Sequence, residues 1–140
     1  MKKITQELIK ETNKCMKSDD IPVAALIVEN NKIISRGHNI REKQHKITGH
    51  AEIEAIEKAC KKKKSWHLIN CELYVTLEPC PMCIEIIKQA RIKKIHYLIS
   101  QEKIKKQQQI IKEKIEDEKS VEKYRNILTT FFKKLRNKNK

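Results

Sequence analysis

Leu73-Tyr74-Val75-Thr76-Leu77-Glu78-Pro79-Cys80-Pro81-Met82-Cys83 is the stretch whose reading decides the fold. Leu73 to Leu77 is the clearest strand in the chain, apolar, aromatic and β-branched throughout. Glu78-Pro79 breaks it, because proline cannot donate to a ladder and restricts the residue before it. Cys83, Ile84, Ile87 and Ala90 then recur at helical spacing, and Ile95 to Ile99 is a further strand. Strand, helix and strand over residues 73–99 imply a right-handed crossover and a parallel pair.

Upstream, Ile4, Leu8 and Cys15 fall near helical spacing, so Met1 to about Lys17 is predicted as an amphipathic helix. Val23 to Val28 is an apolar run suited to a strand buried on both faces. Glu29-Asn30-Asn31-Lys32 carries two asparagines that tolerate φ > 0, a tight hairpin turn into a second strand over Ile33 to Arg36. Gly37 begins an irregular polar stretch that runs to Gly49, and helical spacing returns from His50, closing in Lys61 to Lys64. Downstream of Ser100 the pattern reads as all helical, with Tyr124, Leu128, Phe131 and Leu135 as one stripe and Lys133 to Lys140 as a basic tail. The expectation is a single α/β domain over residues 1–140, a small mixed sheet flanked by helices with a helical C-terminal region.

Composition narrows the function classes. The chain has 140 residues, with 32 Lys plus Arg against 18 Asp plus Glu, a formal charge of +14. Such a field draws polyanions, so nucleic acid or anionic lipid is the natural partner to consider. The excess of Lys over five Arg, with abundant Ile, is also what an AT-rich genome produces without selection for a ligand. Val23 to Val28, the longest apolar run, falls far short of the ~20 residues of a membrane span. The N-terminus turns charged again within a few residues, so no signal-peptide core is read there. Five cysteines, an odd number, argue for metal binding or plain burial in a reducing compartment rather than a disulfide framework. A soluble cytoplasmic protein is expected.

The chemistry sits in two short stretches, His50-Ala51-Glu52 and Pro79-Cys80-Pro81-Met82-Cys83, each opening a helix at the C-terminal edge of the sheet, where open α/β folds place their sites. Two thiolates separated by two residues at a helix start can grip one ion, and the helix dipole favours the thiolate form. His50, Cys80 and Cys83 give Zn²⁺ three ligands and leave a fourth position for water, the pattern of a catalytic site. Glu52, in the irregular first turn, can reach that water as general base and then general acid. A structural site would instead be closed by Cys15, Cys60 or Cys71, which otherwise read as buried small hydrophobes. His38, His45, His67 and His96 lack comparable partners and read as surface or packing residues.

This constellation resembles the zinc-dependent cytidine deaminase superfamily. Asp20-Ile-Pro-Val-Ala, Arg36-Gly-His-Asn39, Gly49-His-Ala-Glu-Ile53, the 73–83 stretch, Arg91-Ile92 and Phe131-Phe132 are similar to the bacterial tRNA adenosine deaminase branch. The resemblance covers about residues 1–100 and resumes near Phe131. It implies a three-layer cytidine-deaminase-like fold, one Zn²⁺ per subunit on His50, Cys80 and Cys83, and Glu52 as proton shuttle. The implied substrate is adenosine at the wobble position (34) of a tRNA anticodon stem-loop, converted to inosine by zinc-activated water attacking C6. Asn39 matches a position that hydrogen-bonds the flipped nucleotide, Ala51 one that offers its backbone N–H, and Phe131 and Phe132 aromatics near the anticodon loop. The resemblance also implies a homodimer. The chain departs from the branch in Ala24-Ala25, in Gln101 where an acidic residue is usual, and in a shorter segment after Ser100 without a Gly-rich loop. Two other readings stand beside it: a deaminase of free nucleobases or nucleotides (guanine, cytosine or dCMP type), and a non-catalytic zinc-stabilised RNA-binding module.

Overall fold

Ala24-Ala25-Leu26-Ile27-Val28 is apolar at every position, and in the computed structural model both faces of the strand it forms are covered. The structure describes residues 2–101 and 110–138. In chain order these are α1 (Lys2–Thr12), a 3₁₀ turn (Asn13–Lys17), β1 (Ala24–Glu29), β2 (Lys32–His38), α2 (Ala51–Lys63), β3 (Glu72–Leu77), α3 (Pro81–Gln89), β4 (Lys94–Ile99), β5 (Ile111–Lys114) and α4 (Glu118–Lys138). Met1, Asn139 and Lys140, the ends of the expected first helix and basic tail, lie outside the described residues, as do 102–109.

The sheet order is β2-β1-β3-β4-β5. β1 pairs antiparallel with β2 and β3, while β3–β4 and β4–β5 are parallel, so the expected crossover pair is present. Asn30 and Asn31 take φ of 51° and 62°, the two left-handed residues that a tight hairpin needs.

Side-chain alternation divides the core into two layers. Ala25, Ile27, Leu73, Val75 and Ile95 pack with Ile53, Ile56, Ile84 and Ile87 of α2 and α3. Leu26, Tyr74 and Leu98 pack with Ile4 and Leu8 of α1 and Tyr124 of α4. Each large aliphatic buried this way contributes roughly 1.5–3 kcal/mol. The mixed sheet between helical layers is the expected fold.

Three expectations are corrected. The first helix stops at Thr12 and continues only as a 3₁₀ turn. The second strand runs on through Gly37 to His38, and Gly37 is placed there for a reason: a Cβ would lie against the Ala51 carbonyl oxygen and 2.6 Å from the Ala55 nitrogen. The missing side chain lets α2 press directly on β2, where Ser35 also donates to the Ala55 carbonyl at 2.7 Å. The segment after Ser100 is not all helical. Ile111–Lys114 forms an edge strand, whose charged Ile-Lys-Glu-Lys sequence carries almost no hydrophobic signal because an edge strand is covered on one side only.

Candidate active site

His50 and Cys80 occupy equivalent places. Each is the extended residue immediately before a helix, with ψ of 146° and 167°, and each carbonyl accepts the first helical bond, from Glu54 N–H and Ile84 N–H at 3.0 Å. Pro81 stands at the first position of α3, where its missing N–H costs nothing. β1 and β3 are antiparallel with Ala25 opposite Val75, so the start of β1, the end of β2 and the end of β3 share one sheet edge. Both helices begin there.

The three expected donors converge. Cys80 Sγ lies 3.7 Å and Cys83 Sγ 3.4 Å from His50 Nδ1, and all three ligand atoms lie within 4.8 Å of one another. Cys83 is buried, whereas His50 and Cys80 are half-buried and open to a cavity of about 680 Å³. The hydrogen bond with Cys83, and then that with His50, hold the Cys80 thiol far below the ordinary thiol range. The Cys80 contact pushes the Cys83 thiol up, with burial adding to it, and His50 is raised by its bond to Cys80. Two sulfurs and an imidazole nitrogen at this spacing suit Zn²⁺, whereas Mg²⁺ or Ca²⁺ would require oxygen donors.

Glu52 is buried, with its carboxyl facing the Cys83 thiol, and it lines the same cavity. Burial raises its pKa to about 7, against the opposing pull of its own backbone N–H and of His50. A carboxyl so placed can both take and give a proton.

Asn39, Ala51, Phe131 and Phe132 also line the cavity. Asn39 is braced at both ends: its amide donates to the Ile21 carbonyl and its Oδ1 accepts the Arg41 N–H, each at 3.1 Å. Ala51 is fully buried at the first position of α2, where the N–H has no intrahelical partner. The two phenylalanines meet edge to face at 5.2 Å, Phe131 buried and Phe132 exposed by 42%.

Sequence reasoning gave no pairing to several residues around this site. Asp20 is buried and accepts the backbone N–H groups of Glu42 and Lys43 and the Ser18 hydroxyl, tying down the loop between β2 and α2. Glu78 and Gln101 form another part of the cavity wall, tied to Lys112. His38 and His96, expected as surface or packing residues, each face a carboxylate, Glu11 at 2.7 Å and Glu72 at 2.8 Å, and His96 is buried. Of the cysteines outside the site, Cys15 and Cys71 are buried as expected and Cys60 only partly so.

Comparisons with known proteins agree with the geometry. The family model of MafB19-like deaminases matches residues 1–136. A tRNA-specific adenosine deaminase of Bacillus subtilis (strain 168) is 33% identical over 150 residues, 96% of this chain and 90% of that protein. The chain spans 62% of the length of a streptococcal protein of the same description. A structure from work on A-to-I editing by tRNA:A34 deaminases at the wobble position superposes with a TM-score of 0.77 at 27% identity, covering 90% of this chain and 99% of its own. Guanine deaminase from Bacillus subtilis superposes with a TM-score of 0.66 at 33% identity, over 71% and 64%.

Proposed function

Since this chain belongs to the MafB19-like deaminase family, beside tRNA-specific adenosine deaminases, we propose that it hydrolyses adenosine to inosine at the wobble position of tRNA anticodons. The observation that carries the reading is the convergence of His50, Cys80 and Cys83 beside a cavity that His50, Cys80 and buried Glu52 line. Zn²⁺ held by these three residues would supply a water acidic enough to attack near neutral pH.

Glu52 takes a proton from the attacking water and delivers it to N1 of the purine. It then carries the second proton to the departing amino group. The C6–O bond forms, the C6–N bond breaks, and adenosine plus water leave as inosine plus ammonia. The Ala51 N–H and Asn39 hold the extruded nucleoside, and the exposed ring of Phe132, backed by Phe131, offers a face for a neighbouring base.

Residues 1–140 form one deaminase domain in this reading, acting as a cytoplasmic homodimer with one Zn²⁺ per subunit. No helix among the described residues is long and apolar enough to cross a membrane. The charge of +14 suits a polyanionic substrate better than a free base. The test offers the zinc-loaded protein an anticodon stem-loop with adenosine at position 34 beside free adenine, guanine and cytidine. Inosine in the stem-loop supports the reading. Turnover of a free base with the stem-loop untouched selects the guanine-deaminase-like alternative, and turnover of neither selects a non-catalytic RNA-binding module.

A further inference from the structure

Glu78 is a carboxylate in the cavity wall that the deamination chemistry leaves unused. Its side chain is only 11% exposed, and both of its oxygens are engaged. Oε1 accepts the Gln101 backbone N–H at 3.1 Å, and Oε2 accepts Lys112 Nζ at 2.7 Å. The Gln101 side-chain amide donates back to the Glu78 carbonyl at 2.7 Å, and the Glu78 N–H donates to the Ile99 carbonyl at 2.8 Å. One residue thus fastens the ends of β3 and β4 to β5, two positions before Cys80. Lys112 is itself only 14% exposed, unlike the solvated Lys114 on the same strand.

We propose that Lys112 is a positioning residue for the metal centre: by neutralising buried Glu78 it holds the Glu78-Pro79-Cys80 turn, and with it the Cys80 sulfur and the Gln101 side chain, in the cavity wall. A buried carboxylate stripped of its counter-charge turns toward water, which weakens its bonds to Gln101. Pro79 has a fixed φ and little slack to absorb the shift, so the displacement passes to Cys80. Supports behind metal ligands typically change metal affinity or activity by roughly 10- to 100-fold when removed, and Lys112 acts on Cys80 through Glu78 and the backbone between them.

The inference concerns zinc retention first, and rests on the deaminase reading only for its kinetic consequence. The experiment compares wild-type, Lys112→Met, Lys112→Arg, Lys114→Met and the double variant Glu78→Gln/Lys112→Met. Zinc per chain is measured under a graded chelator challenge, then kcat and KM on the stem-loop. Lys112→Met is expected to lose zinc at roughly 10- to 100-fold lower chelator concentration and to lose kcat in parallel. Lys112→Arg and Lys114→Met should behave as wild-type. The double variant should recover most of the loss, because it removes the stranded charge. Wild-type zinc retention in Lys112→Met, or a double variant no better than that single, overturns the proposal. If Lys112→Met does not fold, a folded, zinc-retaining double variant supports the proposal and an unfolded one overturns it. A wild-type protein that binds zinc yet makes no inosine refutes the function and leaves this test intact.

Discussion

Cys83 Sγ lies 3.4 Å from His50 Nδ1 although 33 residues separate them in the chain. Each side chain is delivered by a helix that starts at the same sheet edge, so the contact requires β2, α2, β3 and α3 to be in register. The site is therefore a readout of the whole fold, and the predictions below test its chemistry and its supports separately.

Glu52 faces the Cys83 thiol and lines the cavity. Glu52→Gln keeps its volume and removes its proton chemistry. Turnover should fall by roughly 10²–10⁴ while zinc content and melting temperature stay near wild-type. Retained turnover would remove Glu52 from the reaction.

Gly37 is the point where α2 rests on β2, and a methyl group there would meet the Ala51 oxygen and the Ala55 nitrogen. Gly37→Ala must push the start of α2 outward, carrying His50 and Glu52 with it. Overpacking of this kind costs about 1–3 kcal/mol, seen as a melting temperature lower by several degrees. Zinc should also be held less tightly, and an unchanged melt with unchanged zinc would contradict the packing argument.

Glu11 is buried where α1 meets β2, with His38 Nδ1 at 2.7 Å and Lys14 Nζ at 3.0 Å. Burial pushes its carboxyl up, but the hydrogen bonds from His38 and Lys14 outweigh it and hold the pKa at about 2. The folded value lies below the unfolded one, so the contribution is complete above about pH 4.5 and is lost as pH falls toward about 2. Glu11→Gln should lower stability at pH 6 by about 1.5–3 kcal/mol, as for other charged hydrogen bonds. Urea midpoints of the two proteins should converge as the pH drops below 4.5. A gap that stays constant through that range would show that the charge contributes nothing.

Much of this was legible because periodicity and turn chemistry report on burial from both sides. β3 and β1 are covered on both faces and read as apolar runs, and Asn30-Asn31 announced its hairpin. His50, Glu52, Cys80 and Cys83 are legible as a candidate site because such donors occur at restricted spacings, and the structure brings His50, Cys80 and Cys83 together beside the cavity that Glu52 lines. β5 was missed because an edge strand of Ile-Lys-Glu-Lys buries too little to leave a pattern. Lys112 was invisible for a related reason: among so many lysines, only the three-dimensional position of one beside a buried carboxylate distinguishes it. Asp20, Glu78 and the carboxylate partners of His38 and His96 depend on long-range pairing that no local window contains.

Salt separates a substrate grip built on phosphates from one built on the base alone. Affinity for the stem-loop should fall log-linearly with salt, with a slope of roughly 0.7–0.9 for each phosphate neutralised. A flat dependence would mean that the charge of +14 reflects composition and not contact with RNA.

The central claim is that zinc on His50, Cys80 and Cys83, with Glu52 beside it, turns a wobble adenosine into inosine. Single-turnover formation of inosine in an anticodon stem-loop tests it most directly, measured on the same preparation as purified, after chelation, and after zinc is returned. The expected result is inosine at position 34 that disappears with the metal and returns with it. Inosine formation indifferent to chelation, or none with one zinc bound per chain, would contradict the claim.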